Sequence, residues 1–237
     1  LHIIEDAAHA LGSEYRGKKA GTLGEVGCFS FYPTKSITTG EGGMVTCQDS
    51  ALAEKIRIMS LHGISKDAWK RYSANGSWFY EVTYAGFKYN MTDIQASLGI
   101  HQLDRLEDFI TARQYLASLY DEAFSERKEL TLPVARKGIR HARHLYTVLL
   151  NLEKLSVDRA EFIQKLQEEN IGTSVHFIPL HLHPYYRQRY GYRKGDFPVA
   201  EDIYERIVSL PLYPMLTEVD VVYVIHSVFK IMNTHHR

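Results

Sequence analysis

One helical period that starts at Thr92 and holds through Tyr120 divides this chain into two parts of different character. Ile94, Leu98, Leu103, Leu106, Phe109, Ile110, Leu116, Leu119 and Tyr120 recur at the spacing of an apolar helix stripe, with charges between them. The run predicts one very long helix or two in tandem, a length that often links two domains. Before it the chain is β-rich. Residues 1–4 read as a buried strand ending in Glu5 and Asp6. Residues 26–31 and 43–47 read as two more strands, bracketing a polar loop that glycines close. Residues 7–11 suit a short helical start, and Ser50 is placed to cap a helix carrying Leu52, Ile56 and Met59. After the long stripe come a strand over 144–150, an amphipathic helix over 158–170, an extended segment over 173–180, and helices over 200–207 and 219–232. The expected organisation is therefore a larger α/β domain over residues 1–115, closed by the linking helix, and a small α+β domain over residues 116–237.

Charge and cysteine content narrow the function. The 28 basic side chains balance 28 acidic ones, which argues against a protein that holds nucleic acid or an anionic membrane by bulk electrostatics. No stretch approaches the roughly 18 consecutive apolar residues of a spanning helix, and the first residues lack the charged and cleavage regions of a signal peptide. Cys28 and Cys47 cannot build a disulfide framework, so a cytoplasmic protein with reduced thiols is expected. The chain opens with Leu1 inside an apolar run rather than with methionine, and a strand at that position implies partners upstream.

Three residues carry the chemistry. Asp6 follows the carboxyl end of a strand, where open α/β sheets place ligand-binding groups. Lys35 lies between an apolar strand and a glycine-closed loop, a place where an ammonium is partly desolvated and its pKa lowered. Ser30 precedes it on the same strand and offers a hydroxyl. Singly, each is more often a turn carboxylate, a solvated lysine or a solvent-facing strand serine. Together they meet the needs of an aldehyde cofactor such as pyridoxal phosphate: an amine for the carbonyl, an acid to keep the pyridine nitrogen protonated, and a phosphate donor.

The blocks Glu5-Asp6-Ala7-Ala8-His9-Ala10, Phe29-Ser30-Phe31-Tyr32-Pro33-Thr34-Lys35 and Gly40-Glu41-Gly42-Gly43 resemble the signatures of the DegT/StrS family of nucleotide-sugar aminotransferases. Two later blocks, residues 86–96 and 175–181, extend the resemblance to about Leu216. It implies the C-terminal part of a fold-type-I pyridoxal 5′-phosphate enzyme: the remainder of a mixed-sheet large domain plus the small α+β domain. By this resemblance Lys35 holds the cofactor covalently and later shuttles a proton. Asp6 pairs with the ring nitrogen, His9 sits near the ring hydroxyl, and Ser30 binds the phosphate. Asn90, on the turn before the long helix, reaches the phosphate in a neighbouring subunit, so a homodimer with composite active sites is implied. Some relatives carry that asparagine where this chain has Lys88. His176 and His181 are implied to face the substrate. The reaction implied is transfer of an amino group from glutamate to a nucleotide-linked keto-sugar, best matched to C4 of a UDP-sugar, for cell-surface polysaccharide or glycan synthesis. A catalytically silent or regulatory member of the same fold is the alternative.

Other features have bland readings beside sharper ones. His176, His181 and His183 fall on one segment expected to be extended, where residues two apart share a face, but no convincing fourth metal ligand accompanies them, and no metal is expected. Arg136, Lys137, Arg140, His141 and Arg143 either steer a nucleotide diphosphate or form a solvated connection. The aromatics between Trp69 and Tyr89 suit either a stacked base or a dimer interface, and Tyr185, Tyr186 and Arg187 are equally open.

Overall fold

The computed structural model describes residues 1–64 and 79–237, so Trp69 and its neighbours lie outside the described residues. The chain divides into two compact units, residues 1–107 with 138–142, and residues 108–137 with 143–237.

The first unit is built on a mixed three-stranded sheet. Strand β1 (Ile4–Asp6) runs parallel to β4 (Val26–Ser30), which pairs antiparallel with β5 (Gly43–Cys47). In register Glu5 stands opposite Gly27 and Asp6 opposite Cys28. Strand β1 is shorter and less covered than the apolar run implies: Ile3 and Ile4 are exposed, because β1 has a sheet partner on one edge alone among the described residues. Residues 8–12 form turns, not the helical start expected there.

What fixes β1 against β4 is a side chain. The Glu5 carboxylate accepts backbone hydrogen bonds from Gly21 (2.7 Å), Leu23 (2.6 Å) and Gly24 (2.6 Å). The turn can be captured because its glycines let two backbones meet. A Cβ on Gly27 would lie 2.3 Å from the Gly21 Cα, and Gly21 itself has φ +84°. Thr46 on β5 adds a bond from its hydroxyl to the Gly21 carbonyl at 2.6 Å.

Between β1 and β4 the chain makes a small hairpin, β2 (Glu14–Tyr15) and β3 (Lys18–Lys19), and β7 (Ile139–Arg140) pairs with the outer edge of β2. Arg16 and Gly17 both have positive φ, the geometry that lets a two-residue turn follow strand twist. Glu14 and Glu107 alternate with Lys19 and Arg140 in a four-charge network, with Arg140 to Glu107 at 2.6 Å.

Helix α1 (Ser50–Ser60) follows β5, and its cap is Asp49 rather than Ser50. The Asp49 carboxylate, acceptor-only when ionised, takes the N–H groups of Ala51 and Leu52, and Ser50 becomes the first helical residue. The long stripe resolves into two helices, α2 (Asp93–Asp104) and α3 (Leu106–Phe124), broken at Arg105. Thr92 and Gln95 form a capping box on α2.

The second unit packs α3, α4 (Arg159–Glu168) and α7 (Glu218–Thr234) around an antiparallel sheet of β6 (Leu130–Thr131), β8 (Tyr146–Leu150) and β9 (Ile207–Leu210), ordered β6-β8-β9. Strand β8 alternates as period two demands, with Tyr146, Val148 and Leu150 buried. Val221, Val224, Val228 and Met232 line the inner face of α7, and Tyr120, Phe124 and Phe162 fill the centre. Two elements escape the sequence pattern: α5 (Pro184–Tyr190), whose aromatic and basic residues show no stripe, and β9, which follows α6 (Pro198–Arg206) without a turn signal.

The Glu5 contact has a pH signature. Burial pushes the Glu5 carboxyl up, but the bonds from Gly24, Gly21 and Leu23 outweigh it and hold the group below its ordinary value of 4.5. Its stabilisation is therefore complete above that value and is lost as pH falls through the folded-state value. Glu5→Gln is expected to cost roughly 1–3 kcal/mol near neutral pH. In urea melts the gap between wild type and variant should close on acidification, and a gap independent of pH would contradict the assignment.

Candidate active site

Strands β1 and β4 are parallel neighbours, so their carboxyl ends lie side by side. Asp6 closes the first and Ser30 the second. Lys35 follows on a loop held by its own backbone. Phe31 donates to the Gly42 carbonyl (2.8 Å), Thr39 to the Phe31 carbonyl (3.1 Å), and Lys35 to the Tyr32 carbonyl (3.0 Å). Ser36, Ile37 and Thr39 are buried. Helix α2 braces the same loop: Gln95 donates to the Glu41 carbonyl at 2.9 Å, and Gln102 accepts from the Thr38 N–H at 3.3 Å. The Thr38 hydroxyl ties back to the Phe31 carbonyl at 3.0 Å.

The electrostatics couple two of these groups. Burial lowers the Lys35 pKa from 10.5, and the Asp6 carboxylate pulls it partly back. Asp6 also accepts from the Ala8 N–H at 3.1 Å, which orients its carboxylate, and the Ser30 hydroxyl accepts from the Tyr32 N–H at 3.4 Å. An amine with weakened proton affinity, an adjacent carboxylate and a hydroxyl are what a covalently held aldehyde cofactor requires.

The remaining sequence candidates are placed differently. His9 lies in the exposed turn just after β1. Asn90 precedes the cap of α2, where its side-chain oxygen accepts from the Lys88 ammonium. It lines a cavity of about 660 Å³ together with Cys28, Phe29, Met44 and Met91, whose walls do not include Asp6, Ser30 or Lys35.

In the second unit, His176 pairs its Nδ1 with the Ser209 hydroxyl at 2.7 Å and, with His183, lines an apolar cavity of about 770 Å³. His181 turns inward. It is 5% exposed, and its Nε2 meets Glu201 at 2.8 Å. The expectation that the histidines share a face fails because Leu180–Leu182 is a 3-10 turn, which breaks the period of two. Among the described residues no group of three or more His, Cys, Asp or Glu is placed to hold a metal. Glu201, held below the usual carboxylate range by His181 and then by the Gly195 N–H, was not evident from sequence, because a glutamate on an amphipathic helix reads as solvated. Glu5 was masked in the same way by Asp6 beside it. The basic run offers less free charge than its composition implies: Arg140 belongs to the four-charge network, and Arg143 binds Asp121 at 2.8 Å.

Residues 1–229 match the DegT/DnrJ/EryC1/StrS aminotransferase family, and the chain belongs to it. It is 58% identical over 98% of its length to an uncharacterized protein of Methanocaldococcus jannaschii, and 50% identical over 98% to the spore coat polysaccharide biosynthesis protein SpsC of Bacillus subtilis. It spans 60% of the length of each. A Streptococcus pneumoniae protein described as a sugar aminotransferase, solved in PLP and PMP forms, superimposes with TM-scores of 0.88 and 0.90. Its PMP form is 32% identical, with 99% of this chain and 59% of that one covered. The fold is that of the C-terminal part of a fold-type-I pyridoxal phosphate-dependent transferase. No helix among the described residues is long and apolar enough to cross a membrane.

Because Asp6 raises the Lys35 pKa, Asp6→Asn should lower it further. The check is a pH titration of the reductively methylated Lys35 side chain by NMR, and a value that rises or stays put would refute the coupling.

Proposed function

We propose that this chain carries the cofactor-anchoring part of a cytoplasmic aminotransferase that uses pyridoxal 5′-phosphate to move an amino group from glutamate to a nucleotide-linked keto-sugar, in the synthesis of a cell-surface polysaccharide or glycan. The observation that carries this reading is the desolvated Lys35 beside Asp6 at the carboxyl ends of β1 and β4, in a chain of this family. When bound, the cofactor supplies an electron sink and carries the amino group between two substrates.

The chain's own residues divide the remaining work. The Lys35 amine, its proton affinity lowered by burial, would anchor the cofactor and would be the group that moves a proton at the substrate carbon. Asp6 holds the proton on the ring nitrogen. His9 stands by the ring hydroxyl, Ser30 binds the phosphate, and Asn90 contributes to the phosphate site of a second copy. His176, its ring set by Ser209, faces the sugar, while His181 fixes the turn that follows it. The homodimer is supported by α2, which buries none of its side chains and leaves Ile94, Leu98, Ile100 and Leu103 exposed. The preferred acceptor is C4 of a UDP-keto-sugar, a choice that rests on the sequence of residues 176–186.

Purified protein given pyridoxal phosphate is expected to develop an absorbance band above about 400 nm, absent in Lys35→Ala and bleached by glutamate. No band in wild type would favour the silent-member reading. A panel of keto-sugar nucleotides with glutamate as donor tests the acceptor, and amination at C3 alone would exclude the C4 assignment.

A further inference from the structure

Helix α2 is amphipathic in the reverse sense. Gln95, Gly99 and Gln102 share one face by their spacing, and that face is half-buried, whereas Ile94, Leu98, Ile100 and Leu103 are exposed. A helix ordinarily turns its apolar stripe to the protein and its amides to water. What the glutamine face meets is the loop that carries Lys35. Gln95 donates to the Glu41 carbonyl and Gln102 accepts from the Thr38 N–H. Between them Gly99 permits the approach, since a Cβ there would stand 3.1 Å from the Thr39 Cγ2.

The loop's own bonds run from one of its residues to another. The Thr38 hydroxyl donates to the Phe31 carbonyl and accepts from the Gly40 N–H, both at 3.0 Å, and the Thr39 hydroxyl donates to the Glu41 carbonyl at 2.7 Å. Such bonds set the shape of the loop more than its place. The glutamine bonds come from another element and grip two residues that follow Lys35. The two amides work through different atoms. The Gln95 oxygen accepts from the Thr92 N–H and hydroxyl, both at 2.9 Å, so it caps α2 while its nitrogen holds the loop. Glutamate would cap as well but has no N–H to give. At Gln102 the oxygen makes the bond, so glutamate keeps it and methionine does not.

We infer that Gln95 and Gln102 are positioning residues for Lys35, which hold its amine beside the Asp6 carboxylate by fixing Glu41 and Thr38. The inference deepens the proposed function and rests on it for what Lys35 does, but not for where Lys35 is held.

The shift that Asp6→Asn causes in the Lys35 pKa, read by NMR on the methylated full chain, tests it when measured in wild type and in three glutamine variants. Gln102→Met and Gln95→Glu should cut that shift to about half or less, because the two groups no longer keep their distance. Gln102→Glu keeps its acceptor and adds the same charge as Gln95→Glu, so it should preserve the shift. Melting curves on the same proteins separate placement from stability. Glutamines that only stabilise the fold would lower the melting temperature and leave the shift intact in every variant, and that result overturns the inference. So does the lack of any Asp6→Asn shift in wild type. In protein given pyridoxal phosphate, the pH midpoint of the absorbance band described above should move in Gln102→Met, and further in Gln95→Glu than in Gln102→Glu. A midpoint that stays put in Gln102→Met overturns the inference as well. Loss of the shift in protein that shows no band upholds the positioning and counts against the aminotransferase reading alone.

Discussion

The first unit depends on one carboxylate. Glu5 gathers three backbone N–H groups from residues 21–24, and in doing so fixes the turn that feeds β4 into its parallel place beside β1. Parallel pairing has no tight turn to set its register, so something else must, and here it is a side-chain contact made at the strand itself. Asp6 is the next residue after Glu5, and Ser30 lies at the far end of the strand that the contact aligns. The positions of both follow from a group that does no chemistry.

A second constraint acts on the lysine loop. Its backbone bonds close residues 31–42 on themselves, and two glutamines of α2 hold it from outside. Lys35 therefore stays partly buried next to a carboxylate, where its ammonium loses hydration faster than Asp6 compensates. That balance, more than the presence of a lysine, is what makes the amine a plausible nucleophile.

The second unit uses burial in another way. Its core is apolar and continuous from α3 to α7, and some of the buried polar groups beside it are tied to backbone or to each other. Arg113 is an example: its guanidinium donates to the carbonyls of His144 and Leu212, and burial pushes its pKa down to about 10. His181 and Glu201 form the corresponding pair near the surface, and through Phe197 they stiffen the aromatic segment that follows α5.

Strand runs, helix stripes and the order of signature blocks were legible in the residues themselves, because period and local composition are properties of neighbours in the chain. The strands at 26–30, 43–47 and 146–150, the helices α4 and α7, and the set Asp6, Ser30 and Lys35 could all be singled out on that basis. Tertiary structure decided the rest. It split the long stripe at Arg105, exposed the apolar face of α2 and turned His181 away from His176 and His183. It also revealed Glu5 and Glu201 as anchors rather than solvated charges. Each of these depends on what a side chain meets from a distant part of the chain, and no local pattern records that.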